Sequence, residues 1–134
     1  MNRFDSLPTL VCVGRQILIV EDEPYILRIL SFKLRREGFV TFEADSAEAA
    51  ESLLQEHHID LVLLDVSLST ATSGFVLAAK LREDPTTRNI PVVMLTARGF
   101  AADVLRGREV GATGYITKPF TADEVIHRVR ALLA

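Results

Sequence analysis

Four short strand-like segments in this chain each stop on a residue that could do chemistry. ILIV (17–20) ends on three consecutive acids, Glu21, Asp22 and Glu23. LVLL (61–64) ends on Asp65, PVVML (91–95) on Thr96, and GYIT (114–117) on Lys118-Pro119. If the runs end at one place, three acids, a hydroxyl and an ammonium meet there. Clustered carboxylates repel unless protons or a cation intervene. An oxygen-lined site with few protein carboxylates, and room for water and a phosphate, suits Mg²⁺ better than a closed Ca²⁺ cage. Zinc has no such set: there is one cysteine, Cys12, and the adjacent His57 and His58 point different ways on a helix end. Each residue alone has a duller use. Glu23, just before Pro24, reads as a solvating or capping acid, Glu21 or Asp22 as a cap, Thr96 as a turn residue and Lys118 as a solvated cation. Asp65, directly after four apolar residues, resists that reading most.

The elements that must position these residues alternate between two periods. Strands are expected at 17–20, 39–43, 61–64, 91–95 and 114–117. Helices are expected at 24–37, opened by Pro24 and closed by Gly38; at 47–57, capped by Ser46; at 75–83, stopped before Asp84-Pro85; at 101–110, ended by Gly111; and from Thr121, whose capping box includes Glu124. Strands apolar on both faces belong to a buried parallel sheet covered by helices on each side. Right-handed crossovers leave few topologies. The expected fold is therefore α/β: a flavodoxin-like (βα)5 three-layer sandwich with parallel sheet order 2-1-3-4-5. In such a sheet every strand ends at the same rim, and ligands bind where the strand order reverses. Residues 16–134 form this domain. Residues 1–15 are an N-terminal extension outside the pattern: an extra strand, an arm or a disordered lead.

Composition narrows the function classes. The 134 residues, about half apolar and a quarter charged, suit one globular domain with a single core. The net charge of −3 gives no footprint for a polyanion partner. The one cysteine excludes an internal disulfide. No apolar run reaches the roughly 20 residues of a membrane span, and the N-terminus is a poor signal peptide. A cytoplasmic protein without direct nucleic-acid binding is the expectation.

The motifs ILIVEDEP, DLVLLD, VVMLTA and GYITKPF, in this order and spacing, resemble the receiver domain of bacterial two-component response regulators over roughly residues 16 to 133. That resemblance implies a phosphoacceptor switch that takes a phosphoryl group from a sensor histidine kinase or a histidine phosphotransfer protein. Asp65 aligns with the phosphoaccepting aspartate and Asp22 with the direct metal ligand. Glu21 matches the acid that acts through metal-bound water, and Ser67 the position whose backbone carbonyl ligates Mg²⁺. Thr96 is the switch hydroxyl, Lys118 the family lysine, Lys118-Pro119 the commonly cis peptide, and Tyr115 the switch aromatic. Phosphorylation would redraw the face made by the fourth helix, fifth strand and fifth helix, and a downstream effector domain or protein would read it. The domain would assist its own phosphorylation and dephosphorylation without being an enzyme in the ordinary sense.

The loop VSLSTATSGF departs from the family pattern. Ser69 stands where a proline is usual, and Gly74 falls nine residues past Asp65 instead of eight, as if one residue were inserted. Arg98 occupies a position that tunes attack by water, and slow autodephosphorylation is expected from it. Thr113-Gly114 replaces the two acids common in the winged-helix transcription-factor branch, which argues against that branch's dimer mode. Arg106, Arg108, Arg128 and Arg130 are read as solvated charges, or as a basic face for an acidic partner. Two other functions compete. A flavin or nucleotide binder would need a Ser/Thr/Gly-rich phosphate loop where this chain is acidic. A pseudo-receiver, an unphosphorylated interaction module, is kept open by the altered loop and opposed by the full set of acids, Thr and Lys.

Overall fold

The computed structural model describes residues 14–68, 73–96 and 101–134, with side chains in the last segment from 105 onward. Five strands form one parallel sheet in the order β2-β1-β3-β4-β5, the expected order. They are β1 (Gln16–Val20), β2 (Val40–Ala44), β3 (Leu61–Asp65), β4 (Val92–Thr96) and β5 (Gly114–Thr117). The helices between them are α1 (Pro24–Arg36), α2 (Ala47–Glu56), α3 (Gly74–Glu83), α4 (Ala101–Glu109) and α5 (Ala122–Leu133). No described helix is long and apolar enough to cross a membrane.

The all-apolar strands are buried because each of their faces meets helices. Ile17, Ile19, Leu61, Leu63, Val93 and Leu95 point to one face, where Leu30 and Leu34 of α1 and Val125, Val129 and Leu133 of α5 cover them. The alternate residues Leu18, Val20, Val62, Leu64, Val92 and Met94 point to the other, against Ala47 and Ala50 of α2 and Phe75, Leu77 and Leu81 of α3. Successive strand side chains alternate between faces, so each strand feeds both cores. Leu63 is wholly enclosed, and truncation of such a side chain costs about 2–5 kcal/mol.

Local signals set the helix ends. Ser46 accepts a hydrogen bond from the Ala49 amide at 3.1 Å, and Thr121 one from the Glu124 amide at 3.1 Å. Gly38 and Gly111 have φ of 95° and 84°, the left-handed region that lets a chain leave a helix sharply. Several boundaries move by one residue from expectation, β1 starting at Gln16 and β4 running Val92–Thr96, and two of the shifts have a clear local cause. β2 runs one residue later, because Ala44 pairs with Val20 while Phe39 turns into the core beside α1 and α5. α3 begins at Gly74 with Ser73 as its cap, accepting from the Val76 amide at 3.4 Å. Gly14 and Arg15 are tied to the start of β2, through Gly14 N to Gly38 O at 2.9 Å and Val40 N to Arg15 O at 3.0 Å.

Candidate functional site

Parallel pairing brings the four strand ends to one rim. Hydrogen bonding runs one residue past three strands: the Glu21 amide donates to Ala44 O at 3.0 Å, Val66 to Leu95 O at 3.0 Å, and Lys118 to Thr96 O at 2.6 Å. Residues just beyond the last paired position are therefore held as firmly as the strands. Asp65 sits opposite Leu95, and Thr96 opposite Thr117.

Side chains converge on that rim. One carboxylate oxygen from each of Glu21, Asp22 and Asp65 lies within 4.8 Å of the others. The Lys118 ammonium donates to Glu21 Oε1 at 2.7 Å and lies 3.4 Å from Asp65 Oδ2. The Ser67 amide donates to Asp65 Oδ1 at 2.9 Å, so both Asp65 oxygens are oriented. Glu21, Asp65 and Thr96 are buried, and Asp22 is half-buried. Glu23 is the N-cap of α1 without a side-chain capping bond, and its amide reaches Glu21 Oε2 at 3.5 Å. Tyr115 of β5 pairs with Met94 of β4 and packs on the core face of α2 and α3. Lys118-Pro119 is cis.

The electrostatics follow from the buried Glu21 and Asp65 carboxylates facing the Lys118 ammonium. Burial pushes the Glu21 carboxyl up, and the hydrogen bond and charge of Asp65 add to the shift against the opposing pull of Lys118, leaving its pKa at about 7. Burial alone would pull the Lys118 ammonium down. The hydrogen bond to Glu21 and the charges of Asp65 and Glu21 outweigh it, and the ammonium is held above its ordinary value. An all-oxygen donor set short of positive charge fits a hard divalent cation.

The glycine after the altered loop has a physical role. A Cβ at Gly74 would stand 2.1 Å from the Asp65 carbonyl oxygen and 2.9 Å from the Val66 Cα. Only a bare backbone can pass there, so the start of α3 is pressed against Asp65 despite the extra loop residue. Ser69 and Arg98, singled out in the sequence, lie outside the described residues.

A family model for the response regulator receiver domain matches residues 17–130. The chain belongs to the response regulator receiver family. Among relatives, it is 44% identical over 121 residues to the phosphate regulon transcriptional regulatory protein PhoB of Escherichia coli K12, covering 90% of this chain and 52% of PhoB. It is 42% identical to the transcriptional regulatory protein SrrA of Staphylococcus aureus, covering 90% of this chain and 48% of SrrA. The chain thus spans about half the length of the curated relatives it matches. Its fold is similar to the non-phosphorylated HemR receiver domain of Leptospira biflexa, with TM-score 0.82 and 31% identity, covering 90% of this chain and 95% of that one. It is also similar to the response regulator TrrA of Thermotoga maritima in complex with Mg²⁺-BeF, with TM-score 0.77 and 30% identity, covering 88% and 98%.

Within this receiver domain Arg106, Arg108 and Arg128 are exposed and Arg130 is half-buried. Arg106 lies over the Phe75 ring at 4.6 Å, and Arg130 pairs with Glu37 at 3.4 Å. The Arg128 guanidinium lies 2.9 Å from where a Cβ of Gly114 would stand. The Thr113 hydroxyl turns inward and accepts from the Val92 amide at 3.0 Å. His57 stacks on Phe42 at 4.3 Å, and His58 pairs with Asp60 at 2.9 Å.

Proposed function

We propose that this receiver domain is a phosphoacceptor switch in which Asp65 takes a phosphoryl group from a sensor histidine kinase or a histidine phosphotransfer protein. The observation that carries the reading is the placement of Asp65 between a carboxylate cluster and the Lys118 ammonium at the rim where strand order reverses. Asp22 and Asp65 would hold Mg²⁺ directly, with the Ser67 carbonyl as a further ligand and Glu21 acting through water. Bound there, the ion would neutralise the carboxylates and draw charge from a phosphoryl oxygen.

In-line transfer asks the protein for positioning and charge neutralisation rather than for covalent chemistry. An Asp65 oxygen forms a bond to phosphorus as the P–N bond of phosphohistidine breaks, with the electron pair leaving on the imidazole. The Ser67 amide keeps the carboxylate turned. Lys118 compensates a phosphoryl oxygen, and the Thr96 hydroxyl takes another. The added charge draws Thr96 toward Asp65, Tyr115 moves inward, and the face of α4, β5 and α5 changes shape for a downstream effector domain or protein. This is a population shift biased by a local charge. No observation favours the pseudo-receiver alternative: Asp22, Asp65, Thr96 and Lys118 are all present. The reading places the domain in the cytoplasm, with no direct contact to nucleic acid.

The test is incubation with acetyl phosphate and Mg²⁺, read by intact mass. A gain of about 80 Da, absent in Asp65→Asn and in chelator, supports the proposal. An unchanged mass under conditions that phosphorylate a control receiver would overturn it.

A further inference from the structure

Phe75 follows the glycine that presses on Asp65. It is buried and belongs to the core that contains Leu64, Leu77 and Met94. The Arg106 guanidinium of α4 stands over its ring, 4.6 Å from the centroid. A guanidinium within about 6 Å of a ring centroid is attracted to the negative face of the ring. Gly74 lies so close to Asp65 that a Cβ would stand 2.1 Å from the carbonyl oxygen. A short chain of contacts thus links α4 to Asp65: Arg106 holds Phe75, Phe75 is bonded to Gly74, and Gly74 packs on the Asp65 carbonyl.

The backbone alone ties this end of α3 weakly. The Gly74 amide reaches Val66 O at 3.4 Å, and Ser73 Oγ stands 3.4 Å from the Val76 amide. Both are longer than the usual range of about 2.7–3.2 Å. The preceding loop has one residue more than the family pattern and Ser69 where a proline is usual, and serine does not fix φ as proline does. The helix that carries Arg106 is better anchored. Gly107 lies bare against Tyr115, where a Cβ would stand 2.4 Å from Cε1. The Ala112 amide donates to Gly107 O at 2.9 Å. Arg82 Nε donates to Gly111 O at 2.9 Å. Arg82 therefore joins α3 and α4 at their C-terminal ends, and Arg106 joins them nearer to Asp65.

We propose that Arg106 is a positioning residue for phosphoryl acceptance: its guanidinium clamps Phe75, keeps Gly74 against the Asp65 carbonyl, and so holds the Asp65 carboxylate in place for attack. This rests on the reading of Asp65 as the phosphoacceptor. Arg106 acts only through Phe75 and Gly74, so its charge matters because of the ring beneath it.

The rate of phosphorylation of the full chain by acetyl phosphate and Mg²⁺ tests this. Arg106→Gln removes the charge from an exposed position and should slow the reaction about two- to fivefold, the share of a cation–π contact at such a site. Arg106→Lys returns a cation to the ring and should recover most of the loss. In a Phe75→Leu background, which has no ring, Arg106→Gln should slow the reaction no further. A parent that takes no phosphoryl group overturns the phosphoacceptor reading and the clamp together. A parent that is phosphorylated, with Arg106→Gln equally fast, Arg106→Lys as slow as Arg106→Gln, or an undiminished loss in Phe75→Leu, overturns the clamp alone. A second readout needs neither phosphorylation nor the Phe75 variant. The Ser67 amide, bonded to Asp65 Oδ1, should shift its NMR resonance in metal-free Arg106→Gln and return toward the parent position in Arg106→Lys. An unmoved Ser67 resonance in Arg106→Gln contradicts the proposal.

Discussion

Glu21 and Lys118, ninety-seven positions apart, meet at 2.7 Å with the Glu21 side chain fully enclosed. The sheet order makes this possible, since β5 lies beyond β4 and β3 while the Lys118 side chain reaches back across them to the end of β1. Glu21 and Asp65 then share this ammonium, and among the described residues the Asp22 carboxylate adds a further negative charge beside them.

Relief of that charge should stabilise the fold. Asp65→Asn keeps the shape and removes one of the like charges around Glu21. In Mg²⁺-free buffer its thermal midpoint is expected to rise by a few degrees, about 1 kcal/mol for a domain of this size. Differential scanning calorimetry checks this, and a fall in midpoint would show that the cluster is not strained.

The loss of the Lys118 ammonium should act the other way. Lys118→Met leaves Glu21 and Asp65 uncompensated, at a cost of about 1–3 kcal/mol, measured by urea unfolding in chelator. The same variant is expected to slow phosphorylation by acetyl phosphate by at least tenfold while still binding Mg²⁺.

The raised Glu21 pKa fixes a pH dependence for the metal-free protein. Glu21 titrates near 4.5 when unfolded and at about 7 when folded, so between these values the folded state binds more protons. Stability therefore falls as pH rises through this window and levels off above it. The expected loss is at most about 3.5 kcal/mol, at about 1.4 kcal/mol for each pH unit between those values. Glu21→Gln should flatten the slope in chelator, and an unaltered slope would assign it to other groups.

Gly74 gives a structural prediction next to the site. Gly74→Ala would drive a methyl into the Asp65 carbonyl, and overpacking of this kind costs about 1–3 kcal/mol. Thermal unfolding should show the loss, and the rate of phosphorylation should fall with it as Asp65 is displaced.

Much of this was legible in the chain. All-apolar runs such as LVLL at 61–64 specify a sheet buried on both faces, and the acids after them specify the rim. Ser46 and Thr121 announce their helices because a cap is a local feature. The start of α3 was harder to place, since VSLSTATSGF offers several hydroxyls and only Ser73 supplies the cap. β2 shifted by one residue because Phe39 answers to α1 and α5, not to the alternation of its own run. Long-range packing was illegible. Nothing near Glu21 in the sequence names Lys118 as its partner, nothing near Gly107 names Tyr115, and the bonds from Arg82 to Gly111 O and Ile90 O join segments that only the fold brings together.

The most direct test of the central claim is to locate the phosphoryl group itself. Protein treated with acetyl phosphate and Mg²⁺ is reduced with borohydride, which converts an aspartyl phosphate to homoserine, and the modified residue is read by peptide sequencing in a mass spectrometer. The site described here predicts homoserine at position 65 and nowhere else, with none formed in chelator. Homoserine at position 22, the corresponding reduction at Glu21, or no reduced acid at all under conditions that label a control receiver would contradict it.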